Sequence, residues 1–598
     1  VLLRVPRPLC GLLLDLRKTP NPPDPPPLLV RSHYAKPPRN RRNGAASTVR
    51  ASPSDAILET MWPNFVVHAL RRFASVTAQS FANEGPQVVG YDWFSDQEVA
   101  AYDHAFVANG AERIDDATWR DLDVRAYLRL IAAQCSIFGR QMLFHRLRAG
   151  RSPQDLANSA LHALDDPASD LALANTLKIR HQLRCVDSEI AQTLFHGALV
   201  SVPRWTAHLW MAPYVGMVVL ALLGLWPGAT TAWLAFAYFG FSAYTQIKLH
   251  RPLTRWKSQR DAIIAMLDAA RAFGRTAQTT PHPILHTLGT SLPNIQELIT
   301  ALSPTWVERT PMLAEYANLF ALHEYATIGT RIQRMQDRFV ALRSVYEQLA
   351  ECEAQLCLME HLKTRSVVCW AQPASPRDLH LKDMVNPLVG DAQPLSIDLH
   401  GKGAFISGQN CVGKSTFLRG LGLNLLAARA FGFCYAAQAE LPLLPVWSSI
   451  QNEDSLDTAD SLYMAEMRRC ETLLAVAERT AGAMFILDEI FRGTNHVESV
   501  SAAAAVVNQL ASRALVVVSS HHLVLAPLLH PKLDALRMVR GTTSTGSLRL
   551  EPGLLLETNG IHMMERYAIP EQVRATAVQV HDWLAGHMTR PDRFPELL

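Results

Sequence analysis

The run Gly408-Gln409-Asn410-Cys411-Val412-Gly413-Lys414-Ser415-Thr416 carries the most specific chemistry in the sequence. The short apolar stretch Ala404-Phe405-Ile406-Ser407 leads into it, and a helical pattern from Phe417 to Ala430 leads out. Strand, glycine-bearing turn and helix in that order make a cradle for phosphate. The glycines let backbone N–H groups turn inward, and the helix N-terminus adds the positive end of its dipole. Lys414 can then reach the β- and γ-phosphates of a nucleotide, and the Ser415 hydroxyl can bind Mg2+. Gly408, Asn410, Gly413, Lys414, Ser415 and Thr416 are the candidate phosphate-binding residues.

Such a loop needs a second strand that ends in acid, and Ala483-Met484-Phe485-Ile486-Leu487-Asp488-Glu489 supplies one. Asp488 is expected to hold Mg2+ through water, and Glu489 to act as the general base that orients or deprotonates an attacking water. A third apolar strand, Ala514 to Val518, ends at Ser519-Ser520-His521-His522. His521 is the candidate sensor of the γ-phosphate. The bland reading of a histidine is a structural or solvated one, and it fits His522 better than His521.

These residues need a large frame. The chain has 598 residues, 48% hydrophobic and 19% charged, a composition that buries cores and excludes a wholly disordered chain. The formal charge is only +3, and the first 50 residues hold ten Lys/Arg against two acids, so the remainder is slightly acidic. Bulk charge therefore gives no support to a strongly basic nucleic-acid binder. Nine scattered cysteines without a CxxC spacing read as reduced thiols. Residues 1–55 are rich in Pro and Arg and read as a disordered arm. The chain begins with Val1, so the arm also reads as an over-called start, with Met61 the first internal methionine.

From 95 to 200 the pattern is helical, with Leu122, Tyr127, Leu128, Ile131, Phe138, Met142 and Leu147 near i, i+3, i+4 spacing. Asp115-Asp116 read as ordinary helix-cap residues. Residues 258–365 repeat the pattern, through Ile263, Met266, Leu267 and then Ile332, Met335, Phe339 and Leu342, as a helical stalk. Between them, 43 consecutive residues, 205–247, contain no Asp, Glu, Lys or Arg. Two segments, 205–225 and 229–249, flank Trp226-Pro227-Gly228, a natural turn, and predict a transmembrane hairpin with both flanks in the cytoplasm. A buried helical hairpin or a subunit interface is the other reading.

The segment from about 380 to 580 resembles the C-terminal ATPase domain of the MutS DNA mismatch repair family, a branch of the ABC ATPase class. Gly408 to Arg419 is similar to the family's GPNMGGKST run with its following Arg. Asp488-Glu489-Ile490-Phe491-Arg492-Gly493-Thr494-Asn495 is similar to DEIGRGTS, and Ser520-His521 to the Thr-His switch. Gly432 to Ala437, the Asp454 and Ser461-to-Met467 region, Leu550-Glu551-Pro552-Gly553 and Ile569-Pro570-Glu571-Gln572-Val573 match further stretches in order. Gln409, Cys411 and Val412 depart from the usual Pro, Met and Gly, and Asn386-Pro387 falls where the family has His-Pro.

The resemblance implies an α/β P-loop, ABC-type domain that hydrolyses ATP with Mg2+. It also implies a homodimer in which Ser461 of one subunit completes the γ-phosphate site of the other, and DNA as a partner. No Phe-x-Glu mismatch wedge is found in a fitting N-terminal domain, so the chain is expected to be a membrane-associated branch without that domain. Its place is then the inner membrane, with the ATPase domain in the cytoplasm; the alternative is cytoplasmic. The expected organisation is the arm over 1–55, an all-α lever region over 56–203, the membrane hairpin over 204–250, a second lever segment over 251–372 and the ATPase domain with a helical tail over 373–598. The expected function is mismatched or branched DNA processing driven by ATP. The rival is a membrane-tethered regulatory ATPase without DNA. A transporter is the weakest reading, since two such hairpins give only four spans.

Overall fold

The computed structural model describes residues 87–106, 113–197, 212–224, 229–303, 310, 323–409, 412–450, 462–480, 482–540, 547–555, 564 and 569–587. All of them lie within the unit Gly85–Leu598. The arm at 1–55, Asn410 and Ser461 fall outside the described residues.

The first half is helical, and its helices start where side chains take up the free N–H groups of the first turn. Ser95 and Glu98 form a capping box on Asp96–His104, and Asp115 caps α1 (Asp116–Asp121) by accepting from the Thr118 N–H. α2 (Val124–Ile131) buries Val124, Tyr127, Leu128 and Ile131, the face its spacing predicts. α3 (Ile137–Ala149) is buried on nearly all sides. Then come α4 (Ala212–Leu222), the 51-residue α5 (Ala229–Thr279) with Pro252 inside it, and α6 (Phe339–Lys363).

α6 packs along α3, and one carboxylate ties the two together. Glu353 is fully buried on α6 and accepts from the Ser136 N–H at 2.8 Å, the Ser136 hydroxyl at 2.5 Å and the Gly139 N–H at 2.9 Å. It thus caps the start of α3 from another helix. Burial pushes the Glu353 carboxyl up, and the donors of Ser136 and Gly139 oppose that shift. Nearby, His361 of α6 lies 2.9 Å from the Tyr435 hydroxyl, which lies 3.0 Å from that of Tyr127. Burial pushes the His361 imidazole down to about 4, so it joins this chain as a neutral ring.

The second half is built on strands β1 (Gln372–Pro373), β2 (Asp378–Met384), β3 (Leu395–His400), β4 (Gly403–Gly408) and β5 (Gln438–Leu441). They continue with β6 (Val446–Ser449), β7 (Met484–Asp488), β8 (Leu515–Ser519), β9 (Leu533–Arg540) and β10 (Leu548–Pro552). A six-stranded sheet has the order β10-β9-β4-β8-β7-β6, parallel except for β10, and a second sheet has the order β1-β5-β2-β3. Every residue of β7 and β8 is buried, which is why both read as unbroken apolar runs.

Side chains alternate across this sheet. Ala404, Ile406, Ile486 and Val517 join the core that holds Leu418 and Leu421 of α7 (Lys414–Phe431). Phe405, Phe485, Leu487, Val516 and Val518 face the other way, onto Leu473 of α8 (Leu462–Arg479) and Val507 of α9 (His496–Arg513). The sheet is therefore sandwiched between helices, as a doubly covered parallel sheet must be.

The membrane-spanning hairpin expected over 205–249 is not upheld. Among the described residues no helix is long and apolar enough to cross a membrane. Of the first segment, 205–211 and 225 fall outside the described residues, and the described part includes α4, 11 residues long. α5 does not stop at 249 but runs on through Lys248, Arg251 and Arg255, and its uncharged part is diluted by Thr230, Thr231, Ser242, Thr245 and Gln246. Absence of charge is not the same as apolarity. The inner-membrane placement that rested on spanning helices loses that support.

Replacing Glu353 with Ala strands the three donors that converge on it in a buried site. Denaturant titration should report a loss of about 2–4 kcal/mol in unfolding free energy. A change below about 0.5 kcal/mol, the size of an ordinary surface substitution, would show that the cap does not hold α3 to α6.

Candidate active site

The parallel strands bring three ends to one edge of the sheet. Ser519, the last residue of β8, is in register with Asp488 on β7 and with Ile406 on β4. The turn after β4 enters α7 through Gly413, whose φ of +110° is open to glycine and strained for other residues. Among the described residues no side chain caps the start of α7, so its first N–H groups face the turn. The buried Lys414 folds back over the turn, its ammonium donating to the Gly408 carbonyl at 2.9 Å and the Gln409 carbonyl at 3.2 Å.

The Ser415 hydroxyl donates to Asp488 Oδ2 at 2.5 Å. The other oxygen, Asp488 Oδ1, is buried without a hydrogen-bond partner among the described residues. A hydroxyl and a carboxylate are hard oxygen donors, and a buried carboxylate oxygen left without a donor calls for a cation or its water. The pair therefore fits Mg2+, which typically takes one or two carboxylates and completes its shell with water and substrate phosphates. Among the described residues no group of three or more His, Cys, Asp and Glu forms a metal cage, as that mode of binding requires none.

Beyond Asp488 the backbone is forced into an unusual shape. Glu489 and Phe491 both have positive φ, +52° and +64°, in the left-handed region that costs most residues free energy. The Glu489 N–H donates to the Ser519 carbonyl at 2.8 Å, and its carboxylate lies 2.7 Å from His521 Nε2. Arg492 approaches the same carboxylate at 3.5 Å and donates to the Glu489 carbonyl at 2.9 Å. A hydrogen bond from His521 holds the Glu489 carboxyl below its usual range, with burial opposing and the charges of His521, Arg492 and Lys414 adding. Glu489 is thus kept ionised at neutral pH, the state a general base needs. His522 turns elsewhere, with Nε2 at 3.3 Å from the Ser499 hydroxyl and its ring against His496. Burial, then the charge of His496, pushes its imidazole down.

The structure thus brings Gly408, Gly413, Lys414, Ser415, Asp488, Glu489 and His521 to one edge, and the Thr416 carbonyl there accepts from the Asn386 amide at 3.0 Å. Two supports were not assigned roles from sequence. Glu466 on α8 accepts from the Arg492 N–H at 3.1 Å and the Gly493 N–H at 3.2 Å, which fixes the loop that carries Glu489. Gly493 is needed there, because a Cβ would meet the Tyr463 nitrogen at 2.7 Å.

The second support is Arg469, one turn further along α8. It pairs with Asp115, donates to the Thr118 hydroxyl at 3.0 Å and to the Ser448 carbonyl at 2.9 Å. Asp121 accepts from the Ser448 hydroxyl at 2.8 Å and the Ile450 N–H at 3.0 Å, and its carbonyl accepts from Arg419 of α7 at 3.0 Å. α1 is thereby bolted to β6, α7 and α8 at once. The only sequence signal was the cap position of Asp115; its pairing with Arg469 is remote in the chain.

Burial pushes the Asp115 carboxyl up, but hydrogen bonds from Arg469 and Thr118 and the Arg469 charge together hold it below its usual range. A depressed carboxyl stabilises the fold above its unfolded value of about 4, and that contribution is lost as pH falls through the folded value. Arg469→Ala should cost about 2–4 kcal/mol in denaturant titrations at neutral pH. The gap to wild type should narrow on acidification below about pH 4, and a gap independent of pH would show that charge is not what the clamp uses.

Comparison with known proteins adds a family. Residues 404–585 match the model of MutS domain V. The chain is similar to the DNA mismatch repair protein MutS of Thermus thermophilus, 27% identical over 278 residues, covering 45% of this chain and 34% of that protein. It is also similar to the proteins of that name from Exiguobacterium sp., 28% identical over 280 residues with 43% and 33% covered, and from Chloroflexus aurantiacus, 30% identical over 264 residues with 41% and 27% covered. The match spans about a third of the length of the first of these relatives.

Proposed function

From the match of residues 404–585 to MutS domain V we propose that this chain is a MutS-family, Mg2+-dependent ATPase that acts as a homodimer on DNA. The observation that carries the reading is the meeting of Ser415 with Asp488 beside an ionised Glu489, at the N-terminal end of α7. Mg2+ bound there would neutralise charge on the β- and γ-phosphates. The chain's own groups do the rest. The uncapped start of α7 and Lys414 bind the phosphates and disfavour any pose without negative charge. Glu489 accepts the proton of the attacking water, and His521, 2.7 Å away, holds that carboxylate in place and in its charged form.

Homodimerisation rests on Ser461, just before α8, as a donor to the γ-phosphate of the partner subunit's nucleotide, in the way the family resemblance implies. DNA as the object of the motor draws support from the relatives named DNA mismatch repair protein MutS. The rival is an ATPase of the same mechanism that acts on no DNA. Spanning a membrane is not part of the reading.

Glu489→Gln should lower turnover by about 100-fold or more while ATP binding, followed by equilibrium titration, is kept. Unchanged turnover would take Glu489 out of the mechanism. Ser461→Ala should slow hydrolysis and spare binding; loss of binding itself would contradict a role across a dimer interface.

DNA is tested by the ATP turnover of the full chain with duplex, mismatched and branched DNA at two salt concentrations, with Glu489→Gln as the blank. Stimulation by one form that weakens with salt is the expected result. Turnover indifferent to every DNA would leave the rival standing.

A further inference from the structure

The uncharged stretch has a feature that the ATPase reading does not use. In α4, Val215, Met217, Val218 and Val219 are exposed, and so are Leu222 and Leu223 at its end. On α5, Trp233, Phe236, Phe241, Tyr244 and Ile247 are exposed as well. The figures are extreme for such side chains: 82% for Leu222, 79% for Ile247 and 73% for both Trp233 and Phe236. Singly exposed apolar residues are ordinary; so many on two successive helices, with Leu220, Ser242 and Thr245 buried among them, mark a face that is covered in use. The exposure then ends, because Leu253 and Trp256, about two turns beyond Ile247, are buried in the helical core.

Charge identifies what covers it. Between Glu189 and Asp261 the sequence has no acidic residue, while Lys248, Arg251 and Arg255 stand exposed at the boundary where α5 enters the core. Further along, Lys257 is paired with Glu324. A second copy would set this cationic collar against its own like charge. DNA would satisfy the collar and leave the apolar side chains in water. The headgroup layer of an anionic bilayer satisfies both, with the collar at the phosphates and the apolar side chains below them.

Among the described residues no helix is long and apolar enough to cross a membrane, which fits a surface that lies on a bilayer. The Lys248 ammonium lies 5.7 Å from the centre of the Tyr244 ring, a cation–π contact where the collar meets the apolar run.

We propose that α4 and the first turns of α5 form a monotopic docking surface that seats this chain on the face of an anionic lipid membrane without spanning it. The surface stands apart from the nucleotide site and does not depend on how that site works.

The test is co-sedimentation of the full chain with vesicles of phosphatidylcholine alone and of phosphatidylcholine mixed with phosphatidylglycerol. Binding to the mixed vesicles and release by high salt or alkaline carbonate is the expected result. The double variant Trp233→Ser with Phe236→Ser should weaken binding at least tenfold, by an order-of-magnitude reckoning from the apolar area lost. Lys248→Gln with Arg251→Gln changes only exposed residues and keeps the fold in hand; it should weaken binding roughly fivefold or more per charge removed. Both should hydrolyse ATP without vesicles as wild type does. No binding to either vesicle, or equal binding to both, would overturn the proposal. So would carbonate-resistant attachment, which means spanning, or a loss of self-association in the apolar variant with vesicle binding intact, which gives the surface to a second copy.

Discussion

The nucleotide end of this molecule depends on one register. With Ser519 level with both Asp488 and Ile406, strands β7 and β8 stop together and β4 runs two residues further, so that their following loops meet at one edge of the sheet. A one-residue slip in β7 would turn Asp488 to the opposite face of the sheet and separate it from Ser415. The register is held from both sides, because alternate residues of each strand are committed to different hydrophobic clusters. Apolar packing far from any polar group thus determines a 2.5 Å contact between a hydroxyl and a carboxylate.

That edge is also connected to the helical half, through buried polar groups. α8 is held at Glu466 to the loop after β7 and, within the next turn, at Arg469 to the cap of α1. A shift of the loop beside Glu489 therefore meets the helical region after passing through a single helix. The chain Tyr127–Tyr435–His361 makes a second, uncharged connection between α2, the segment that joins α7 to β5, and α6. Buried polar contacts add little net stability but specify one arrangement of the parts they join. Here they join the parts between which motion would have to pass.

What could be read from sequence was what is local in the chain. The strand, turn and helix over 403–431 lie in contiguous residues, and their chemistry needs only the spacing of Gly408, Gly413, Lys414 and Ser415. The buried runs at 484–488 and 515–519 were legible because a strand covered on both faces has no polar alternation to hide it. Asp115 showed only its short-range role as a cap, since Arg469 lies far along the sequence. Glu353 was invisible for the same reason: it caps a helix to which it does not belong. In the second segment of the hairpin a window free of charge is not an apolar one: its Thr, Ser and Gln residues lower the hydropathy and α5 continues past it.

The unbroken length of α5 has a mechanical consequence. Its 51 residues make a rod of roughly 75 Å, with large apolar side chains exposed between Trp233 and Ile247 and Leu253 and Trp256 buried in the helical core. About half of it precedes Leu253, so a tilt of about 5° there would carry the start of the helix sideways by roughly 3 Å. An adjustment too small to disturb the packing of the core would still be felt at the far end as a displacement comparable with a hydrogen-bond length. A helix of this kind is a gain stage: it leaves the size of the input set by buried packing and the size of the output set by the number of residues in the rod.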